Sequence, residues 1–227
     1  MSEISALAEH AGPARPVDRM LVAREKTREA IGQIAARVQP GMREEEAVEM
    51  AADVLEQMGF AAGSRPARVR FGRNTARLAQ RQPAPRVELR QSDIFFVDIA
   101  PSFNAYCGDG AASFVVGIDG VYECCARDAK RLFREVRDVW RRQHRSGADL
   151  YAHAHRQARL MGWELNADVT GHRLPGPGQD ETGTTPLAAL QSKPRSLDWV
   201  LQIHLDDRLK RFGAFYADVL IDDDLYG

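Results

Sequence analysis

The sequence predicts an α+β fold in a single domain, and two observations lead to this prediction. A pair of helical segments followed by short apolar strands occurs twice along the chain. The 227 residues are enough for one sizeable core, and no linker rich in Pro, Gly and Ser separates two compositionally distinct halves. The twofold succession has the form of a duplication, although no clear sequence repeat accompanies it.

The first half of the chain begins with a segment that lacks any periodic pattern. Residues 1–16 are small and Pro-containing, which predicts a flexible N-terminal arm and places the domain at residues 17–227. Apolar residues at helical spacing predict a helix over residues 17–38, and a second helix is expected over about residues 43–58. Short strands separated by Pro, Gly and Asn are expected near residues 69–71, 94–99 and 113–116.

The second half of the chain follows the same order. Two helices are expected over about residues 122–145 and 148–161, and a strand-rich section begins at Asp168. The helix, helix, strands series is therefore completed a second time.

The charge balance favours a small partner. Lys and Arg number 31 and Asp and Glu 32, which gives a formal net charge of −1 and no call for nucleic acid or an anionic membrane. The predicted partner is a small molecule or a peptide-like substrate, and a homodimer is left open. No apolar run approaches membrane-spanning length, and the N-terminus lacks a basic segment followed by an apolar one, so we expect a cytoplasmic location.

The three cysteines indicate neither a disulfide framework nor a metal site. Cys124 and Cys125 are adjacent, which is poor placement for an ordinary bridge, and no Cys-x-x-Cys spacing occurs. We expect all three thiols to be reduced and structural.

Two aspartates stand at the ends of a segment with the pattern of a β-hairpin. Asp98 follows Phe-Phe-Val, and Asp109 comes shortly before Ser-Phe-Val-Val. A carboxylate beside such apolar strands is costly to desolvate alone, so the pair suggests a shared cation. The alternative is two strand-end or turn aspartates, because Asp is common in turns.

An ordered series of motifs resembles the methionine aminopeptidase/creatinase family of pita-bread metallopeptidases from about residue 20 to the C-terminus. The motifs are Val-Asp-Ile-x-Pro (97–101), Tyr-Cys-Gly-Asp (106–109), Ser-Phe-Val-Val-Gly (113–117), Gly-His-Arg-Leu (171–174), Gln-Ile-His (202–204) and Gly-Ala-Phe-Tyr-Ala-Asp (213–218). The resemblance implies the pita-bread form of the α+β class. In that form, two pseudo-symmetric halves surround a curved antiparallel sheet that holds the site.

The resemblance also implies a ligand set of two aspartates, one histidine and two glutamates for a pair of divalent cations. Asp98, Asp109 and His172 match this set in type and order, whereas Gln202 and Ala217 stand at the two glutamate positions. Asp218 follows Ala217, but successive side chains of a strand point to opposite faces, so we do not expect it to substitute.

Two carboxylates balance one divalent cation rather than two. The prediction is therefore a single Mn, Fe, Co or Zn ion held by Asp98, Asp109 and His172, with Gln202 or His204 as a further ligand. His172 and His204 are the candidate catalytic residues. The favoured alternative for His204 is a structural strand histidine.

Three residues are candidates for substrate binding. The resemblance implies a histidine shortly before the Val-Arg-Phe-Gly segment, where this chain carries Arg65. On a strand, Arg68 and Arg70 share one face and would suit a carboxylate or phosphate, although solvent-facing arginines are the favoured alternative. The three predicted substrate-binding residues are therefore Arg65, Arg70 and Tyr106.

The sequence leaves two functions open. One is a divergent metallopeptidase-like hydrolase that uses a single metal ion on a small amide or amino-acid-derived substrate. The other is a catalytically silent pita-bread domain that binds a ligand or a partner. The three matching ligands favour the enzyme slightly, and the two lost glutamates favour the silent domain.

Overall fold

The computed structural model of the chain describes residues 16–61, 66–77, 84–175 and 185–222. Most of the predicted N-terminal arm lies outside these residues, as does Arg65. Pro16 already belongs to the first helix, at the first helical position, where proline's fixed φ and missing N–H are tolerated.

Among the described residues, four α-helices occupy the positions that the periodicity predicts, within a few residues at each end. They are α1 (Pro16–Arg37), α2 (Glu44–Gln57), α3 (Gly120–Arg142) and α4 (Gly147–Leu160). Side chains define two of the starts, because Asp119 accepts hydrogen bonds from the first-turn amides of α3 and Ser146 forms a capping box with Asp149. Helix α3 stops before residue 145 because Gln143 is extended.

Nine strands are present among the described residues. They are β1 (Arg68–Phe71), β2 (Asp93–Ile99), β3 (Ser102–Phe103), β4 (Tyr106–Cys107), β5 (Gly110–Val116), β6 (Glu164–Leu165), β7 (His172–Arg173), β8 (Trp199–Asp206) and β9 (Gly213–Val219). Single 3-10 turns lie at Gly72–Ala76 and Leu187–Ala189.

Seven of the strands form one antiparallel sheet in the order β1-β2-β5-β9-β8-β6, with β7 also paired to β8. The short strands β3 and β4 form a separate hairpin between β2 and β5. The predicted α+β class is confirmed, and so is the long hairpin that carries Asp98 near one end.

Each helix pair covers one half of the sheet. Helices α1 and α2 pack on Phe95, Val97 and Ile99 of β2, whereas α3 and α4 pack on alternate residues of β8, such as Leu201 and Ile203. The residues between them on these strands point to the opposite face. That face holds the residues that the sequence singles out.

Among the described residues, no helix combines the length and the apolar character needed to cross a membrane.

Candidate functional site

The strand register places five predicted or neighbouring site positions in one row across the sheet. Asp98 pairs with Ala111 on β5, Ala111 pairs with Ala217 on β9, and Ala217 pairs with Gln202 on β8. The row begins at Arg68 on β1, directly opposite Asp98. Cross-strand partners project from the same face of a sheet, so the two positions that lost glutamates are immediate neighbours on the site face.

Asp98 is bound by Arg68. The Arg68 Nε atom donates to Asp98 Oδ2 at 2.7 Å, and its Nη2 atom approaches the same oxygen. The Asp98 side chain is fully buried, whereas the Arg68 side chain keeps 23% of its exposure. The solvent-facing interpretation of Arg68 is therefore wrong, because the guanidinium compensates a carboxylate that would be costly to bury alone.

Asp109 and His172 form the second polar contact of the site. His172 Nε2 lies 3.2 Å from Asp109 Oδ2, and the Asp109 side chain is 1% exposed. Gly171 aims His172 here, because its φ of +64° is a conformation that favours glycine, and a Cβ on it would lie 2.4 Å from the Val200 carbonyl oxygen. The structure thus brings together one predicted aspartate and the predicted histidine.

Gln202 and Ala217 supply no charge to this face. The Gln202 main chain is held by Tyr151 of α4, whose hydroxyl donates to Gln202 O at 2.8 Å and accepts from Gln202 N at 3.3 Å. Burial raises the pKa of Tyr151, so its hydroxyl stays protonated. Asp218 faces the other way and binds Arg24 of α1, in agreement with the alternation expected along β9.

His204 is fully buried on the same face as Gln202. Its Nε2 atom lies 2.8 Å from Thr75 O, to which it donates, and its Nδ1 atom lies 3.3 Å from Asp206 Oδ1. Burial lowers the pKa of His204 to about 4 and raises that of Asp206 to about 7. A buried, neutral imidazole that donates to a backbone carbonyl oxygen acts as a structural group, so the contact with Thr75 O favours the structural interpretation of His204.

Arg70 lies beside a cavity of about 600 Å³ that Arg68 also lines. Its nearest described carboxylate oxygen is Glu44 Oε2, at 3.8 Å. Glu44 is committed elsewhere, because its two oxygens accept from Phe71 N at 2.6 Å and from Asn74 Nδ2 at 2.9 Å. Burial raises the pKa of Glu44. Of the two arginines that line this cavity, Arg70 therefore has the longer described ion pair.

The remaining predicted substrate residues stay predictions. Tyr106 lies half-buried in the short hairpin of β3 and β4. Arg65 lies outside the described residues, as do residues 176–184.

The described residues do not fit the two-metal arrangement that the family implies. Within the part of the chain that the structure describes, no group of three or more His, Cys, Asp and Glu side chains is arranged to hold a metal ion. Arg68 compensates the charge of Asp98, and Asp109 contacts His172. Neutral groups stand at both glutamate positions. A divalent cation is poorly compensated by such a set.

Sequence reasoning missed the Arg68–Asp98 contact because it depends on which residues face one another across two strands. The signal that could have found it is the alternation of β1, which places Arg68 and Arg70 on one face, combined with the acidic residue on the neighbouring strand. Tyr151 and Thr75 were also missed, since each acts on the site through backbone contacts.

A family model for metallopeptidase family M24 matches residues 18–182. No curated protein sequence matches the chain. Solved structures with the same fold include an X-Pro aminopeptidase from Thermotoga maritima (16% identity, TM-score 0.71), a prolidase from Pyrococcus furiosus (16%, 0.69) and a methionine aminopeptidase from Thermotoga maritima (14%, 0.73). The similarity to these structures confirms the pita-bread fold.

Coverage differs among the three structures. The match includes 90% of this chain for the X-Pro aminopeptidase and the prolidase, and 92% for the methionine aminopeptidase. This chain spans 58% and 60% of the first two proteins and 95% of the third.

Proposed function

This chain belongs to metallopeptidase family M24, and from that premise we propose that it is a ligand-binding relative of those peptidases whose pocket works without the family's two metal ions. The family relationship supports a pocket suited to peptide-like molecules. The chemistry of the pocket differs from that of the family's two-metal site, because the side chain of Arg68 supplies the positive charge.

The observation that carries this proposal is the ion pair between Arg68 and Asp98. An aspartate that serves as a metal ligand must offer an oxygen to the ion, and one of the two Asp98 oxygens, Oδ2, already accepts from Arg68 at 2.7 Å. A guanidinium is not deprotonated in proteins, so this competition does not relax at any ordinary pH.

The charges around the 600 Å³ cavity favour a ligand that carries both signs. Arg70 is 20% exposed, and its long contact with Glu44 leaves N–H groups for an incoming carboxylate. Glu45 and Glu49 also line the cavity, one helical turn apart on α2, and both are exposed. An amino acid or short peptide has an ammonium group and a carboxylate and fits this arrangement.

Ligand binding can be tested by isothermal titration calorimetry with a panel of amino acids and dipeptides in the presence of chelator. We expect at least one zwitterionic member to bind the wild type, and Arg70→Met to weaken that binding about tenfold or more. Arg73→Met is the matched control, because Arg73 is an exposed arginine three residues away that does not line the cavity. An equal loss of ligand affinity in both variants would contradict the proposal, and so would ligand binding that occurs only when metal is present.

A second candidate is the single-metal hydrolase, which the Asp109–His172 contact favours. A carboxylate oxygen and an imidazole nitrogen 3.2 Å apart are both common ligands of Mn, Fe, Co and Zn. Such an ion would polarise the carbonyl of a small amide or amino-acid-derived substrate. His172→Ala should then abolish hydrolysis, and chelator should do the same, whereas the ligand-binding function predicts that binding survives chelation.

Two further properties stay predictions. Cell fractionation tests the cytoplasmic location, and light scattering of the purified chain tests the homodimer.

A further inference from the structure

Helices α1 and α3 border a groove over the middle of the sheet, on the face opposite the candidate functional site. Helix α1 packs on α2 and helix α3 packs on α4, so the strip of sheet between the two pairs is only partly covered. Tyr216 of β9 lies there half-buried, and its ring centroid is 4.9 Å from that of Phe133 on α3. Asp218, two residues further along β9, points to the same face. These strand residues form the floor of the α1–α3 groove.

Five positively charged side chains lie along the two walls of this groove. Two are one helical turn apart on α1, and three follow one flank of α3 at positions i, i+4 and i+7. They are Arg24 and Arg28 of α1 and Lys130, Arg134 and Arg137 of α3. Contacts with the floor tie both walls to it, because Lys130 Nζ lies 5.7 Å from the centroid of the Tyr216 ring and Arg28 Nε lies 4.0 Å from Asp218 Oδ2.

The α1 wall is only partly neutralised. Asp218 on the floor is occupied by Arg24, which donates to both of its oxygens. Arg28 has a closer contact with Glu25, whose Oε2 atom lies 3.4 Å from Arg28 Nη1, but both side chains are exposed and such a pair holds its partners weakly. Arg28 can therefore turn towards an anion in the groove.

The α3 wall is less neutralised still. Among the described residues, no carboxylate lies within ion-pair distance of Lys130 or Arg134. The Nε atom of Arg137 is buried and has no hydrogen-bond partner among these residues, and its guanidinium reaches only the adjacent Asp138, at 4.0 Å. Three cations in succession on one helix flank repel one another, and an anion between the walls would relieve that repulsion.

The protonation of the floor and wall agrees with this crowding of positive charge. Burial lowers the pKa of Lys130, and the charges of Arg134 and Arg28 lower it further, which shows that these cations face one another across the groove. Burial raises the pKa of Tyr216, so its hydroxyl keeps its proton and can donate a hydrogen bond.

We propose that the α1–α3 groove binds the phosphate group of a small molecule, on the opposite face of the sheet from the candidate functional site. A phosphate group carries about 1.5 to 2 negative charges at neutral pH and three strong acceptor oxygens, so it can accept from cations on two opposite walls at once. A carboxylate has one charge and two coplanar oxygens, which match a single guanidinium better. The site goes beyond the proposed function, because it shares no residue with the cavity beside Arg70.

The test is calorimetric titration of the full chain with inorganic phosphate, at an ionic strength held constant with NaCl. The wild type should bind one phosphate per chain with a dissociation constant below about 1 mM. Arg134→Gln and Lys130→Gln should each weaken that binding about tenfold or more. Both residues are exposed, so both variants should keep the thermal transition of the wild type.

Arg131→Gln is the matched control. Arg131 is exposed on the same helix, but it lies on the other flank, where its Nη2 atom is 3.5 Å from Asp128 Oδ1. Its replacement removes the same charge as Arg134→Gln and should leave the phosphate affinity unchanged. Amino-acid binding at the cavity beside Arg70 should be the same in Arg134→Gln as in the wild type.

Glycerol 3-phosphate is the second probe, because the phosphate group can belong to an organic molecule or to free phosphate. Tighter binding of glycerol 3-phosphate than of inorganic phosphate would support the proposal and assign an organic phosphate. Equal affinity would support it and assign free phosphate. In both cases Arg134→Gln should weaken the binding of both probes.

Three results would overturn the inference. One is a wild type that shows no phosphate binding below about 10 mM, since the walls would then be ordinary solvated surface. Another is acetate binding as tight as phosphate binding. The third is an equal loss of phosphate affinity in Arg131→Gln and Arg134→Gln, which would indicate general attraction to positive charge. None of these results would affect the proposed ligand-binding function of the other face.

Discussion

Arg24 on α1 forms a bidentate ion pair with Asp218 on β9, in which Nε lies 2.7 Å from Oδ1 and Nη2 lies 2.6 Å from Oδ2. The Asp218 side chain is 5% exposed. This contact joins the first helix to a strand near the C-terminus and uses the only acidic residue of the Gly213–Val219 strand. It explains why Asp218 does not replace the glutamate lost at Ala217, since the carboxylate serves the helix on the other side.

Loss of this pair should destabilise the fold. We expect Arg24→Met to lower the free energy of unfolding by about 3 kcal/mol, because the buried Asp218 carboxylate loses its bidentate partner and keeps the more distant Arg28, whose Nε atom lies 4.0 Å from Asp218 Oδ2. Urea unfolding at neutral pH measures the change. Lys26→Met is the matched control, since the Lys26–Glu29 pair is exposed and should contribute nothing measurable. Equal stability of the two variants would contradict the role given to Arg24.

Substitutions in the His204–Asp206 pair should reveal two opposite pH dependences. Burial lowers the pKa of His204 to about 4 and raises that of Asp206 to about 7. Over roughly pH 4 to 6.5, the unfolded histidine binds a proton that the folded one lacks, and the folded aspartic acid binds a proton that the unfolded one lacks. The two contributions therefore cancel in the wild type.

Asp206→Asn keeps only the histidine contribution, so its stability relative to the wild type should rise with pH by about 1.4 kcal/mol per unit across this window. His204→Gln keeps only the carboxyl contribution, and its relative stability should fall as the pH rises towards about 7. Urea unfolding at several pH values tests both slopes. Three parallel curves would show that the pair does not titrate in this way.

Two glycines should respond oppositely to alanine. A Cβ on Gly108, next to Asp109, would lie 1.9 Å from Thr27 Oγ1 and 3.1 Å from Ala23 O of α1, so Gly108→Ala should cost about 1–3 kcal/mol. Gly32 is exposed within α1 and has nothing within 4 Å of that position, so Gly32→Ala should stabilise by about 0.5–1 kcal/mol. Thermal unfolding compares them directly. A destabilised Gly32→Ala protein would be the unexpected result.

Restoration of the two glutamates should raise metal affinity. Gln202 and Ala217 are cross-strand neighbours, so Gln202→Glu with Ala217→Glu adds two negative charges at one place on the site face. Elemental analysis should show more bound metal than in the wild type, which we expect to cleave methionyl and prolyl peptides poorly. Ala217→Gln adds similar volume without charge and is the control. Brisk cleavage by the wild type that disappears in Asp109→Asn would contradict this expectation.

Local sequence patterns were enough to predict the helices, the long hairpin and the class of the fold. The periodicity of α1 and α2 and the turn residues around β2 and β5 act over short distances. The motif order, which resembles a known family, predicted the pita-bread architecture that the comparisons confirm. The short strand β6 was missed because Glu164–Leu165 is too brief to show alternation.

The site was predictable in its residue types but less so in its contacts. The contact between Asp109 and His172 agrees with the motif order. The partner of Asp98 was not predictable, because it depends on register between β1 and β2 and on the direction of one long side chain. The sequence favoured a structural role for His204 and left a metal-binding role open, and the burial of His204 and its contact with Thr75 O support the structural role.

The central claim is that an arginine supplies the positive charge of the pocket, which works without metal. The most direct measurement is the thermal transition of the wild-type chain with chelator or with Mn²⁺, Co²⁺ or Zn²⁺. The account predicts the same transition temperature in all conditions. An ion present at about 100 times its dissociation constant would raise that temperature by roughly 5–10 °C. A rise of this size, lost on chelation and absent in Asp109→Asn, would contradict the account.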